Sequence, residues 1–253
     1  YVWLDALTNY LSALNFPNTN DNLYKNFWPA SLHVIGKDIL RFHAIYWPAF
    51  LLAADIKPPN RVFSHGWILS GDEKMSKSKG NILNPLEIID TYGIDELRYY
   101  LMKEVSHGSD GNISLKSLEN CINSDLANNY GNLCQRVFSF VKNNCKNKIN
   151  KTKGISNSDK KLIDLTKSLT MNLRNEMSNQ NLNNYIKSVI NICFLTNKYI
   201  NDEEPWKLKN IDIKKMNNIL HLSLEQIAKI SILLGPITPN AATKVLDALN
   251  VKP

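Results

Sequence analysis

Three lysines carry the plainest chemistry in the chain. The stretch "DEKMSKSKGN", residues 72–81, sets Lys74, Lys77 and Lys79 among serines, with Met75 as its one apolar side chain. Such a segment cannot bury itself. Its ammonium groups repel one another, and Gly80 adds backbone freedom. A cationic, pliable loop of this kind is either a solvated turn or a device for handling negative charge.

Two further groups have types and spacings suited to binding. Ile39, His43 and Trp47 recur every four residues and share one face of a helix. With Trp3, Ala6 and Tyr10 from another segment they could wall an aromatic slot holding a few polar groups. Composition alone favours the alternative, in which these aromatics are core and His43 a satisfied core histidine. Asn132 and Arg136, also four apart, project together off the Leu126–Leu133–Val137 stripe. An amide and a guanidinium can hydrogen-bond the edge of an unpaired base. Trp206, after Pro205, offers an indole on which a base could stack, worth about 1–3 kcal/mol. An ordinary surface amide at Asn132 and a buried cap at Trp206 stand as the competing readings.

These residues must be positioned by two kinds of structure. Up to about residue 115 the pattern alternates. "YVWLDA" reads as a strand from its β-branched and aromatic residues. "SLHVIG" reads as a second strand ending at Gly36. "KDILRFHAIYWPAFLLAAD" is a helix that Asp38 can cap, and "RVFSHGWIL" a third strand. Strand, helix and strand imply a parallel sheet with helical crossovers, whose ligands sit beyond the carboxyl ends of the strands. After about residue 115 only helical spacing is found, in "NSDLANNYGNLCQRVFSFVKNN", in "SDKKLIDLTKSLTMNLRNEMSN", near residues 182–201 and 213–234, and after Pro239. The expected fold is therefore α/β followed by an all-α helical bundle.

The bulk numbers fit a globular protein with a polyanionic partner. The 253 residues are 43% hydrophobic and 21% charged, and the formal net charge is +7. A lysine- and asparagine-rich composition bias would give the same excess. The cysteines at 121, 134, 145 and 193 form no C-x-x-C pair, so no metal site is expected, and free thiols in a reducing cytoplasm fit best. No apolar run is long enough for a bilayer, so no membrane partner is expected. The opening "YVWLDALTNYL" lacks Met and starts within a structured run, as expected of the C-terminal part of something longer.

The five residues 74–78, "KMSKS", placed between a strand and the helix-forming "NPLEIIDTYGIDELRYYL", resemble the second signature of the class I aminoacyl-tRNA synthetases. Within that class "YVWLDALTNY", "WPASLHVIGKDILRFHAIYWPAFL", "HGWILSGDEKMSKSKGN" and "DTYGIDELRYYLM" resemble the methionyl-tRNA synthetase family, over most of residues 1–115. "LANNYGNLCQRV" resembles the first helix of that family's anticodon-binding domain. The resemblance implies the second half of a Rossmann-like catalytic domain over 1–117 and an anticodon-binding domain over 118–253. It implies methionine–tRNA ligase activity, with ATP (as its Mg2+ complex), L-methionine and tRNA(Met) as substrates. Lys77 and Lys74 would be the catalytic contacts to ATP. Gly36, Asp38 and His65 would lie on its binding side, and Trp3, Ala6, Tyr10, Ile39, His43 and Trp47 at the methionine pocket. Asn132, Arg136 and Trp206 would read the CAU anticodon.

The chemistry is coherent. Charge builds on the leaving pyrophosphate as the bond to AMP breaks, and lysines brought up then stabilise the transition state most. Removing one such donor costs about 3–4 kcal/mol, or roughly 10²–10³ in rate. A thioether suits an aromatic slot because sulfur packs well against rings. The family's first signature and its zinc-bearing insert are expected upstream of Tyr1, in an N-terminal half that this chain needs as partner. The isolated chain is accordingly expected to be inactive and to hold no zinc. Alternatives are another class I specificity such as leucyl, a non-catalytic tRNA-binding fragment, or an unrelated nucleotide-binding domain with a chance KMSKS.

Overall fold

The computed structural model describes residues 2–70, 73–74, 84–105, 108–149 and 154–251, with only the backbone of Glu73 and Lys74. Most of the lysine loop, including Lys77, lies outside the described residues. So do the side chain of Lys74 and residues 150–153 of the polar stretch "KNKINKTKGISNS". The chain forms two compact units, Tyr1–Leu69 with His107–Gly111, and Ser70–Ser106 with Asn112–Pro253.

The first unit is α/β. Its opening segment corrects the expectation of a strand: α1 is a helix over Val2–Ser12. Strand propensity is overruled by burial period, because Leu7 and Leu11, four apart, pack on Trp28, Trp47 and Leu51. The same period puts Trp3, Ala6 and Tyr10 on one face. A short helix, α2 (Asn22–Phe27), follows, started by the Asp21 carboxylate accepting from Leu23 N. Strand β1 (His33–Gly36) pairs in parallel with β2 (Val62–His65), His33 opposite Val62 and Gly36 opposite His65.

Between them runs one helical stretch of mixed pitch: a 3-10 turn Lys37–Ile39, a π segment Phe42–Tyr46, and α3, Trp47–Ala53. Gly36, not Asp38, stands at its N-cap, and no side chain caps it. The third expected strand is broken: β3 covers only Ile68–Ser70. At the break the Trp67 backbone bonds elsewhere, its N–H to the Asp110 carboxylate at 2.8 Å and its carbonyl to Gly111 N at 2.8 Å. Two-residue strands β4 (Glu73–Lys74) and β5 (Gly111–Asn112) complete the extended elements.

In the second unit, "NPLEIIDTYGIDELRYYL" forms two helices, α4 (Pro85–Tyr92) and α5 (Ile94–Glu104). Gly93 joins them at φ 107°, a backbone state that side chains disfavour. Then come α6 (Leu115–Cys121), a π segment Ile122–Gly131, α7 (Asn132–Cys145), α8 (Asn157–Thr170) and α9 (Leu173–Ser178). Helices α10 (Leu182–Glu203), α11 (Pro205–Leu208), α12 (Ile213–Leu234) and α13 (Pro239–Ala248) complete it. Helix α8 starts at a reciprocal cap: Ser156 Oγ accepts from Asp159 N, and the Asp159 carboxylate accepts from Ser156 N.

The core runs through Tyr99, Leu133, Val137, Ile186, Val189, Ile227 and Ile230, each at most 2% exposed. Beside it, the Tyr99 hydroxyl and the Lys103 ammonium both donate to Asp125, at 2.7 and 2.8 Å. Burial raises the Asp125 carboxyl, but hydrogen bonds from Lys103, Tyr99 and Ser124 outweigh it and hold the group below its ordinary value.

Candidate functional site

In the first unit, α1 and the helix following β1 bring Tyr10, His43 and Trp47 together. His43 is 3% exposed and held at both ring nitrogens. Its Nδ1 lies 3.0 Å from the Ile39 carbonyl, which can only accept, so Nδ1 carries the proton. In the neutral ring Nε2 then accepts from the Tyr10 hydroxyl, also at 3.0 Å. The Tyr10 ring lies 6.2 Å from that of Trp47. Trp3 stacks on Phe42, centroids 3.9 Å apart and 14° from parallel, one residue before His43. Ala6 is exposed on the α1 face between Trp3 and Tyr10, and Ile39 is half-buried. The π turn at Phe42–Tyr46 widens the helix where these groups meet, as such turns often do at functional sites.

Two residues of this cluster escaped the sequence reading. His33, the first residue of β1, packs 4.3 Å from the Tyr10 ring, and Trp28 lies 6.3 Å from Trp47. Neither falls on a helical repeat with the others, so spacing could not find them. Among the described residues His33 Nδ1, Trp28 Nε1 and Trp47 Nε1 are buried and find no hydrogen-bond partner. Burial pushes the His33 imidazole below its ordinary value, and the nearby His43 adds to this. The result is a cluster of aromatic rings with a few polar atoms among them, a chemistry suited to a small and mostly uncharged side chain.

The residues expected on the ATP side gather at the carboxyl ends of β1 and β2. Gly36 pairs with His65, and a Cβ on Gly36 would stand 2.5 Å from Asp38 Oδ1 and 3.7 Å from His65 Cε1. A side chain at position 36 would therefore turn the Asp38 carboxylate out of its present place. The ring of exposed His65 bonds the Gly66 carbonyl at 2.9 Å. Lys37 lies between Gly36 and Asp38 in the chain. It pairs with Asp110 at 2.6 Å and stands 4.1 Å from the Trp67 ring centroid. That ammonium, followed by the Trp67 N–H, holds the Asp110 carboxyl below its ordinary value.

In the second unit Arg136 and Trp206, seventy positions apart in sequence, face each other. The guanidinium carbon lies 5.8 Å from the indole centroid. Both line a cavity of about 360 Å³, with Phe140, Ile200 and Pro205 among its walls. Glu204 ends α10 at φ 43°, and Pro205 opens α11, which sets Trp206 on the surface at 42% exposure. Asn201, which the sequence reading passed over, accepts from Arg136 Nη2 at 2.7 Å and so fixes the guanidinium. Asn132 begins α7 one turn before Arg136 and is half-buried. Among the described residues no group of three or more His, Cys, Asp or Glu could hold a metal, and no helix is long and apolar enough to cross a membrane.

Comparison with known proteins shows the family. Residues 1–138 match the family described as tRNA synthetases class I (M), and residues 149–253 the anticodon binding domain of methionyl tRNA ligase. A methionine–tRNA ligase of Brucella suis biovar 1 (strain 1330) is 42% identical over 251 residues, 99% of this chain and 48% of the relative. One from Rickettsia conorii (strain ATCC VR-613 / Malish 7) is 45% identical over 255 residues, 99% of this chain and 50% of the relative. Among solved structures, Mycobacterium tuberculosis methionyl-tRNA synthetase in complex with methionyl-adenylate superposes with a TM-score of 0.96 at 38% identity. It covers 100% of this chain and 50% of that one. The chain spans about half the length of the curated relatives it matches.

Proposed function

We propose, from the premise that this chain belongs to the class I tRNA synthetases of the (M) type, that it supplies half of a methionine–tRNA ligase. In the first step the methionine carboxylate attacks the α-phosphorus of ATP, forming methionyl-adenylate and releasing pyrophosphate. In the second, a terminal ribose hydroxyl of tRNA(Met) attacks the acyl carbon and AMP leaves. The slot of Trp3, Ala6, Tyr10, Ile39, His43 and Trp47 takes the thioether side chain. Gly36, Asp38 and His65 border the adenylate, and Lys77 with Lys74 neutralises the leaving pyrophosphate. ATP enters as its Mg2+ complex, and any zinc belongs to the N-terminal half. Asn132, Arg136 and Trp206 hold unpaired anticodon bases. Residues 1–117 serve activation and 118–253 tRNA recognition. The four free cysteines suit a cytoplasmic enzyme.

The observation that carries this reading is the convergence of Tyr10, His43 and Trp47 on the helix that leaves β1 at Gly36 and Asp38. The test is exchange of labelled pyrophosphate into ATP by the full-length protein, with each amino acid in turn. Methionine alone should support exchange. Exchange with leucine or another amino acid instead would overturn the specificity. Binding of tRNA without exchange would favour a non-catalytic tRNA-binding protein.

A further inference from the structure

Three segments far apart in the chain meet at one carboxylate in the first unit. Asp110 accepts from Lys37 Nζ with both oxygens, at 2.5 and 2.6 Å, and from the Trp67 N–H at 2.8 Å. The Lys37 ammonium also stands 4.1 Å from the Trp67 ring centroid. The Gly111 N–H closes the junction on the Trp67 carbonyl at 2.8 Å. The backbones come so near that a Cβ on Gly66 would overlap the Ser109 carbonyl.

Folding stability does not account for this junction. The Lys37 and Asp110 side chains are 36% and 34% exposed, and an ion pair in that setting adds little to it. Its place in the fold is more telling. The pairing of β1 with β2 ends at Gly36 opposite His65, so the ladder holds nothing beyond them. Lys37 is the next residue after Gly36, and Trp67 follows His65 by two positions. Asp110 therefore ties the turn leaving β1 to the segment leaving β2, just past the last paired residues of the sheet.

We propose that Asp110 is a positioning residue for methionine activation: through Lys37 and the Trp67 amide it fixes the Gly36–Asp38 turn against His65, and so sets the gap that the adenosine part of ATP occupies. This role rests on ATP lying beside Gly36, Asp38 and His65, as proposed above. Asp110 itself touches no substrate. A displacement of about 1 Å in such a border can cost roughly 10²-fold in rate.

The test compares the full-length enzyme with Asp110→Asn, Lys37→Met, the double variant and Lys37→Arg in methionine-dependent pyrophosphate exchange. Asparagine has the size of aspartate and can still accept from Trp67, but it no longer neutralises Lys37. The kcat/KM for ATP should fall roughly 10- to 100-fold in Asp110→Asn and in Lys37→Met. The KM for methionine should stay unchanged, whereas a general structural fault would raise it as well. The double variant should lose no more than either single variant, because the same junction is broken once. Lys37→Arg, which can still pair with the carboxylate and stack on the indole, should keep the parent activity. Parent-like kcat/KM for ATP in Asp110→Asn overturns the proposal, as does an equal loss for methionine. A far larger loss in Lys37→Met than in Asp110→Asn overturns it too, since Lys37 would then act on ATP directly. A parent enzyme without methionine-dependent exchange would overturn the ligase reading itself, and this role with it.

Discussion

Tyr10→Phe isolates one hydrogen bond at the heart of the slot. Because His43 Nδ1 donates to the Ile39 carbonyl, the Tyr10 hydroxyl is the donor to Nε2, at 3.0 Å. The substitution keeps the ring packed 4.3 Å from His33 and 6.2 Å from Trp47, and removes only that donor. His43 is 3% exposed, so an acceptor is left buried and unpaired, at a cost of about 1–3 kcal/mol. In the free protein, water entering the slot offsets part of this cost. A ligand that fills the slot expels the water, and the penalty then falls on binding. The Kd for L-methionine should rise roughly 5- to 150-fold while that for ATP stays within about twofold. Calorimetric titration of each ligand into the full-length enzyme reads both numbers. Unchanged methionine affinity, or equal losses for methionine and ATP, would refute the assignment of this hydroxyl to the slot.

Other perturbations separate the two units. Trp206→Ala should lower kcat/KM for tRNA aminoacylation roughly 5- to 150-fold, the worth of one stacked base, and leave methionine-dependent pyrophosphate exchange intact. Matching losses in both assays would remove Trp206 from tRNA recognition. His33 is held below its unfolded value, so on acidification the unfolded chain takes up this proton first. Stability should therefore fall as pH drops from about 7 towards 5, and His33→Gln should flatten that slope in denaturant titrations. An identical slope in the variant would exclude His33 as the source. Asp125→Ala strands the Tyr99 hydroxyl and leaves the Lys103 ammonium its 2.9 Å contact with Glu104 and a 3.8 Å contact with Cys121 Sγ. Urea unfolding should show a loss of about 2–4 kcal/mol, and a change below about 0.5 kcal/mol would mean that the cluster contributes little.

Much of this architecture is legible in the residue pattern, and the misses have physical causes. The long helices α10 and α12 were readable because their apolar repeat persists over many turns, so an error at either end matters little. α1 reads as a strand because Val2 and Trp3 at its start favour one. The burial of Leu7 and Leu11, which decides the matter, shows only over a longer window. "RVFSHGWIL" looked continuous, but Asp110, over forty positions away, claims the Trp67 amide.

The aromatic cluster around His43 was half visible. Ile39, His43 and Trp47 declare themselves by spacing, whereas His33 and Trp28 arrive through a strand and a loop, where no period marks them. Likewise Arg136 and Trp206 could be named separately, but Asn201, which orients the guanidinium between them, could be found only in three dimensions. Gln226 sits in "LSLEQIAKI" as if on a solvated face, and its complete burial is a tertiary fact.

The contact proposed between the methionine side chain and these rings can be tested directly. L-Methionine labelled with 13C at its methyl is bound to the full-length enzyme, with protonated Tyr, His and Trp in a deuterated background. Sulfur–aromatic packing sets the thioether about 5 Å from a ring. Nuclear Overhauser contacts from that methyl to the rings of Tyr10, His43 and Trp47 are expected, each assigned by its disappearance on substitution. A bound methyl with no contact to any of these three rings would contradict the placement of methionine in this cluster.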